Sequence, residues 1–159
     1  MKLYRIVRAY LVKYKFWLYK LDLALSGAGL EREVTVYGRF TYYHAENIKI
    51  GHGTTINEGV VINARSEIVI GKDVRLSNYS QLQAGGLVYE NKTDARKVHN
   101  QGSIIIGDNT WIGSGAIITM GCRVGKNCVI AANAVVTKDV ADNSMVGGVP
   151  AKLIKSLAI

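Results

Sequence analysis

Large aliphatic residues recur along this chain at a constant interval of six. Ile106, Ile112, Ile118, Val124, Ile130 and Val136 keep it without a break, and Gly107, Gly113 and Gly125 follow three of them. Ile50, Ile56, Ile62 and Ile68 keep the same interval, and Ile70, Leu76 and Leu82 restart it two places on. A helical period does not hold at six, and plain strand alternation does not single out every third inward position. Two places before each aliphatic of the C-terminal run stand Ile104, Thr110, Ala116, Cys122, Cys128 and Ala134. Residues two apart on a strand point the same way. Each unit therefore sends one large and one mostly small side chain inward, the large one to a face and the small one to a corner. Three units close a triangular coil of about eighteen residues, and stacked coils make a solenoid of parallel strands. The spacing predicts Ile106 under Val124, Ile112 under Ile130 and Ile118 under Val136. Each inward Ile or Val is worth roughly 1.5–3 kcal/mol.

The 159 residues suit one domain with a real core, and an apolar share of 48% argues against disorder. Glycine (17) far outnumbers proline (1), so the corners turn without proline. The net charge of +8 is concentrated near the N-terminus, where Lys2, Arg5, Arg8, Lys13, Lys15 and Lys20 face only Asp22. That favours an anionic surface such as a membrane over a nucleic-acid groove across the whole protein. Lysines interrupt the N-terminal apolar residues, which excludes a convincing secretory signal or an ordinary span, so a cytoplasmic location is expected. Cys122 and Cys128 fit neither a zinc pattern nor a disulfide framework. One unit apart, they fall on successive faces of a coil, so two buried, reduced thiols are expected.

The run IGDNTWIGSGAIITMGCRVGKNCVIAANAVVTKDV, followed by GGVPAKLI, resembles the hexapeptide-repeat acyltransferases. It is most similar to the sugar O-acetyltransferases of the maltose, galactoside and nodulation-factor type and their polysaccharide-biosynthesis relatives. The resemblance covers about residues 34–156. It implies an all-β solenoid, a left-handed parallel β-helix, assembled as a homotrimer and using acetyl-CoA as donor.

Three pieces lie outside the repeat, so the chain divides into a helix within 1–29, a β-helix over 30–148 interrupted at 83–103, and a C-terminal segment, 149–159. Leu3, Val7, Tyr10, Tyr14, Trp17 and Leu21 keep alternating steps of four and three, widened by Leu11, Leu18 and Leu25. This predicts a basic amphipathic helix that Ser26-Gly27-Ala28-Gly29 ends. It could pack on its own β-helix or trimer, lie peripherally on the inner face of a membrane, or bind a partner protein. The polar segment QAGGLVYENKTDARKVHNQGS, 83–103, breaks the repeat; in the resembling family a loop at this place reaches over an active site between two subunits. Residues 149–159 are expected to form a short helix capping the last coil.

Acyl transfer from a thioester to a hydroxyl or an amine of a sugar needs a base, an oxyanion donor and a grip on CoA. Neutral histidine suits the first and a positioned backbone N–H the second. The family's usual histidine follows the last rung before the loop in a pattern like T-G-H. That place here reads Gly85-Gly86-Leu87, and the histidine is absent. Some relatives combine a leucine there with a basic residue and a histidine late in the loop, so His99 is the expected base. His44 and His52 are the other candidates. By resemblance, Ser114 offers its N–H to the thioester carbonyl, Ala132 and Ala134 line the pantetheine channel, and Thr137, Lys138 and Lys155 meet the CoA phosphates. Trp111 belongs to a subunit interface or groove wall, or has a purely structural role. Asn57, Asn63, Arg65 and Asn78 are candidates for a sugar, nucleotide-sugar or lipid-linked sugar acceptor, or are ordinary corner residues. A γ-type carbonic anhydrase needs two closely spaced histidines that His44, His52 and His99 do not supply, so no metal is expected. The alternative is a catalytically inactive trimer serving as a structural or regulatory scaffold, for which Leu87 speaks.

Overall fold

A computed structural model describes residues 2–88 and 98–157. Beyond helix α1 (Lys2–Leu25), the chain winds as a parallel β-helix with three faces. It has the left-handed β-helix architecture. Sheet A stacks Gly29–Leu30, Ile48–Ile50, Ile68–Ile70, Ile104–Ile106 and Arg123–Val124. Sheet B stacks Thr35–Val36, Thr55–Ile56, Arg75–Leu76, Trp111–Ile112, Val129–Ile130 and Ser144–Gly147. Sheet C stacks Thr41–Tyr43, Val61–Asn63, Gln81–Gln83, Ile117–Thr119 and Val135–Val136.

The three predicted rungs are present: Ile106 pairs with Val124, Ile112 with Ile130 and Ile118 with Val136. All six are buried, and the ladders continue down through Ile70 and Ile50, Leu76 and Ile56, Leu82 and Ile62. The N-terminal coils differ from the eighteen-residue expectation, since Ile50 pairs with Ile70 twenty places on. The extra residues fall between sheets C and A, where the chain has left one ladder and not yet joined the next. Length can be added there without shifting any rung.

On the corner between sheets A and B, Asn109, Asn127 and Asn143 take the left-handed conformation at φ 54°, 54° and 56°. Asparagine tolerates that region better than most residues. Their side chains form a ladder, Asn109 Nδ2 donating to Asn127 Oδ1 at 3.0 Å and Asn127 Nδ2 to Asn143 Oδ1 at 2.9 Å.

Both cysteines are free and buried, as their spacing predicts. Cys128 Sγ donates to the Ala141 carbonyl at 3.1 Å, and burial pushes its thiol above the ordinary range. A thiol held protonated is a poor nucleophile. Because both thiols are buried, iodoacetamide at neutral pH is expected to leave both cysteines unmodified in the folded protein and to alkylate both in denaturant. Mass spectrometry checks this, and rapid labelling of the native chain would contradict the core placement.

Two ends need covering, because an open coil exposes its apolar interior and its ladder. At the first coil, Leu23 of α1 is fully buried and Tyr19 packs on the core. The Tyr42 hydroxyl donates to Asp22 and bonds Ser26, tying the end of α1 to sheet C. Burial, reinforced by the Asp22 carboxylate, raises the Tyr42 phenol above its ordinary value. Gly27, at φ +100°, stops the helix in a conformation that favours glycine. At the last coil the expected capping helix over 149–159 is not formed. Lys152–Ser156 is instead a strand antiparallel to Ser144–Gly147. The last strand of sheet B offers unpaired N–H and C=O groups, and a returning strand satisfies them directly.

Candidate functional site

Most of the predicted site residues fall on two corners that flank sheet C. The corner between sheets B and C carries Asn57, Asn78, Ser114 and Ala132. Asn78 accepts from the Gly115 N–H at 3.0 Å and Ser114 from the Asn133 N–H at 2.9 Å, so the column rises from coil to coil. Coils approach closely here: a Cβ on Gly113 would lie 2.6 Å from the Ile130 carbonyl oxygen and 2.7 Å from the Ala132 nitrogen. Glycine beside Ser114 is therefore required by contact. Among the described residues the Ser114 N–H has no acceptor, a property it shares with Asn78 and Ala132 in the same column. Asn57 Nδ2 is used within the solenoid, donating to the Leu76 carbonyl at 2.8 Å.

Ala134 does not lie on this surface. It is fully buried, its methyl inside the core, so it cannot line a channel. Its place two before Val136 is an inward one, and the spacing outweighs the role implied by resemblance.

The corner between sheets C and A carries Asn63, Arg65, the 83–103 segment, Thr137 and Lys138. Asn63 Nδ2 donates to Gln83 Oε1 at 3.2 Å. The segment is not a structureless loop where it is described. Gly85–Val88 and Val98–Gln101 form an antiparallel hairpin, and residues 89–97 lie outside the described residues. Its register sets Gly85 opposite Gln101, Gly86 opposite Asn100 and Leu87 opposite His99. The hairpin root is seated closely: a Cβ on Gly85 would meet the Arg65 side chain at 2.7 Å, and one on Gly86 would meet the Met120 methyl at 3.0 Å. Thr137 and Lys138 are exposed one level above Thr119 and Met120. Lys155 is exposed on the returning strand of sheet B, opposite Met145.

The other histidines stand apart. His52 is on the corner between sheets A and B, its Nε2 3.5 Å from Glu33 Oε2. His44 follows the first strand of sheet C, with Nδ1 3.6 Å from Glu46 Oε1. Among the described residues no group of three His, Cys, Asp or Glu side chains is placed to hold a metal.

A groove of about 440 Å³ runs along sheet B, lined by Asn57, Asp73, Arg75, Ser77, Asn109, Thr110 and Trp111. The Trp111 indole donates to Ser77 Oγ at 2.7 Å, which fixes the ring as a wall of the groove. Arg75 and Trp111 pair across the ladder, each immediately before an inward aliphatic. That outward position was the available signal.

A sequence model of the hexapeptide repeat of succinyl-transferase matches residues 103–138. The chain is 31% identical to the galactoside O-acetyltransferase of Escherichia coli over 140 residues, 88% of this chain and 67% of that protein. It belongs to the hexapeptide-repeat sugar O-acetyltransferase family. A Saccharomyces cerevisiae protein is 32% identical over 114 residues, 72% of this chain and 58% of that one. The chain thus spans little more than half to two thirds of the length of these curated relatives. A maltose O-acetyltransferase from Clostridium difficile superposes with a TM-score of 0.79 at 29% identity, covering 86% of this chain and 73% of that one. A hexapeptide-repeat acetyltransferase of Vibrio cholerae, in complex with acetyl coenzyme A, superposes with a TM-score of 0.80 at 27% identity, covering 93% and 88%.

Proposed function

We propose that the protein is an acetyl-CoA-dependent O-acetyltransferase. Its acceptor would be a sugar hydroxyl, in a free, nucleotide-linked or lipid-linked sugar, in surface-polysaccharide biosynthesis in the cytoplasm. The observation that carries this reading, beside the family, is the hairpin register. The place where the family's usual histidine is missing is Leu87, and its partner across the ladder is His99. In this reading the returning strand supplies a histidine at the position paired with that place.

In this reading His99 takes the proton of the acceptor hydroxyl as its oxygen attacks the thioester carbonyl. The Ser114 N–H meets the oxyanion. The tetrahedral intermediate collapses, the C–S bond breaks, and the CoA sulfur leaves with the proton from His99. Ser114 and the hairpin root stand on opposite edges of sheet C, whose three residues span about 10 Å. A homotrimer supports the chemistry, because the hairpin of one copy can then reach the Ser114 corner of the next. Thr137, Lys138 and Lys155 are assigned to the CoA phosphates, where a cation makes a charge-assisted hydrogen bond.

Calorimetric titration with acetyl-CoA tests the donor half. Binding near one site per chain is expected, weakened about tenfold or more in Lys138→Ala, the worth of one hydrogen bond to a charged group. No binding by the folded parent would turn the assignment to the inactive scaffold, which Leu87 at the usual histidine place favours.

A further inference from the structure

Helix α1 carries two apolar rows, and the solenoid uses only one. Phe16, Tyr19 and Leu23 face the first coil: Leu23 is fully buried, Tyr19 packs on the core, and Phe16 lines a crevice against Val34–Tyr37 whose rim Lys13, Trp17 and Lys20 share. At 100° per residue, the stripe of Val7, Tyr10, Leu11, Tyr14, Leu18 and Leu25 is centred roughly 180° around the helix. It points away from the solenoid. Tyr10 is 70% exposed, Leu11 63% and Leu25 79%. We propose that this outward stripe lies on an anionic lipid bilayer, with α1 parallel to its surface.

Charge selects this occupant. Arg8 and Lys15 lie about 40–60° beyond Leu11 on one edge of the stripe, and Lys13 and Lys20 about 60–80° beyond Tyr10 on the other. Asp22 is the single acid in α1, and the Tyr42 hydroxyl is bonded to it. Cations on both flanks of an apolar face meet lipid phosphates while the face enters the acyl boundary. Tyr10, Tyr14 and Trp17 supply the aromatic side chains that favour that depth, and the Tyr14 and Trp17 rings stack at 5.9 Å. A second copy fits less well. Helices paired through this stripe bring the Lys13 and Lys20 edge of one copy beside cations or leucines, with no opposing acid to fix a register. Among the described residues no helix is long and apolar enough to cross a bilayer, which fits a helix that lies on the surface. The proposal stands whether or not acetyl transfer is the protein's reaction.

Sedimentation of the full chain with vesicles tests it. Phosphatidylcholine vesicles containing phosphatidylglycerol are expected to carry the protein down, and phosphatidylcholine alone is not. In a Trp111→Phe background, Trp17 emission should shift to the blue as anionic vesicles are added. Lys13→Gln and Lys15→Gln should each weaken binding about fivefold, and added salt should weaken the parent. Leu11→Glu with Leu18→Glu should abolish it while circular dichroism stays that of the parent. Equal binding to neutral vesicles, no binding by the folded parent, or an unaffected double variant would each overturn the proposal. So would a double variant that changes the mass in light scattering and leaves vesicle binding intact, which would assign the stripe to a second copy.

Discussion

Replacing His99 with Gln is expected to lower turnover of acetyl-CoA with a competent acceptor by about 10²–10⁴-fold, the usual contribution of a positioned general base. Binding of acetyl-CoA should stay near that of the parent, because Ser114, Thr137 and Lys138 are untouched. The register offers a second arm. Leu87 is the Cα partner of His99, so Leu87→His in the His99→Gln background moves the imidazole across one ladder. Partial recovery is expected there, and none from restoring a histidine at a distant corner. Parent-like turnover by His99→Gln would falsify the base assignment and leave His99 as a structural member of the hairpin.

Ile112→Ala is expected to cost about 2–5 kcal/mol in urea unfolding, and Ile112→Val about 0.5–1.5 kcal/mol. Ile112 is fully buried between Leu76 below and Ile130 above. The backbone ladder holds those neighbours at a fixed strand spacing of about 4.8 Å, so they cannot close over the space left by a lost side chain. A large-to-small change in a ladder therefore keeps most of its cavity. A loss below about 1 kcal/mol would mean that the coils relax towards one another, against the rigidity argued here.

The interval of six determined most of the fold. It named the inward residues, paired those of the C-terminal coils in the right rungs, placed both cysteines in the core, and put Ala134 inside as well, but it did not foresee the longer N-terminal coils. Each inward side chain touches only its own rung and the next, so a short-period pattern suffices to specify that packing. The corner positions of Ser114, Ala132, Thr137 and Lys138, proposed for the donor, were legible for the same reason, since they lie at fixed offsets from the ladder. Three things depended on contacts between segments whose spacing carries no such period. Lys152–Ser156 is a strand because the last coil presents an open edge, although its local sequence also suited a helix. The sequence left open whether α1 packs on the solenoid or lies elsewhere, and the structure seats the Phe16, Tyr19 and Leu23 row on the first coil. The pairing of Leu87 with His99 is decided by the hairpin register, in which one residue of slip would place a different side chain opposite. Repetition is encoded residue by residue, whereas edges, ends and hairpins are settled by what the folded coils leave unpaired.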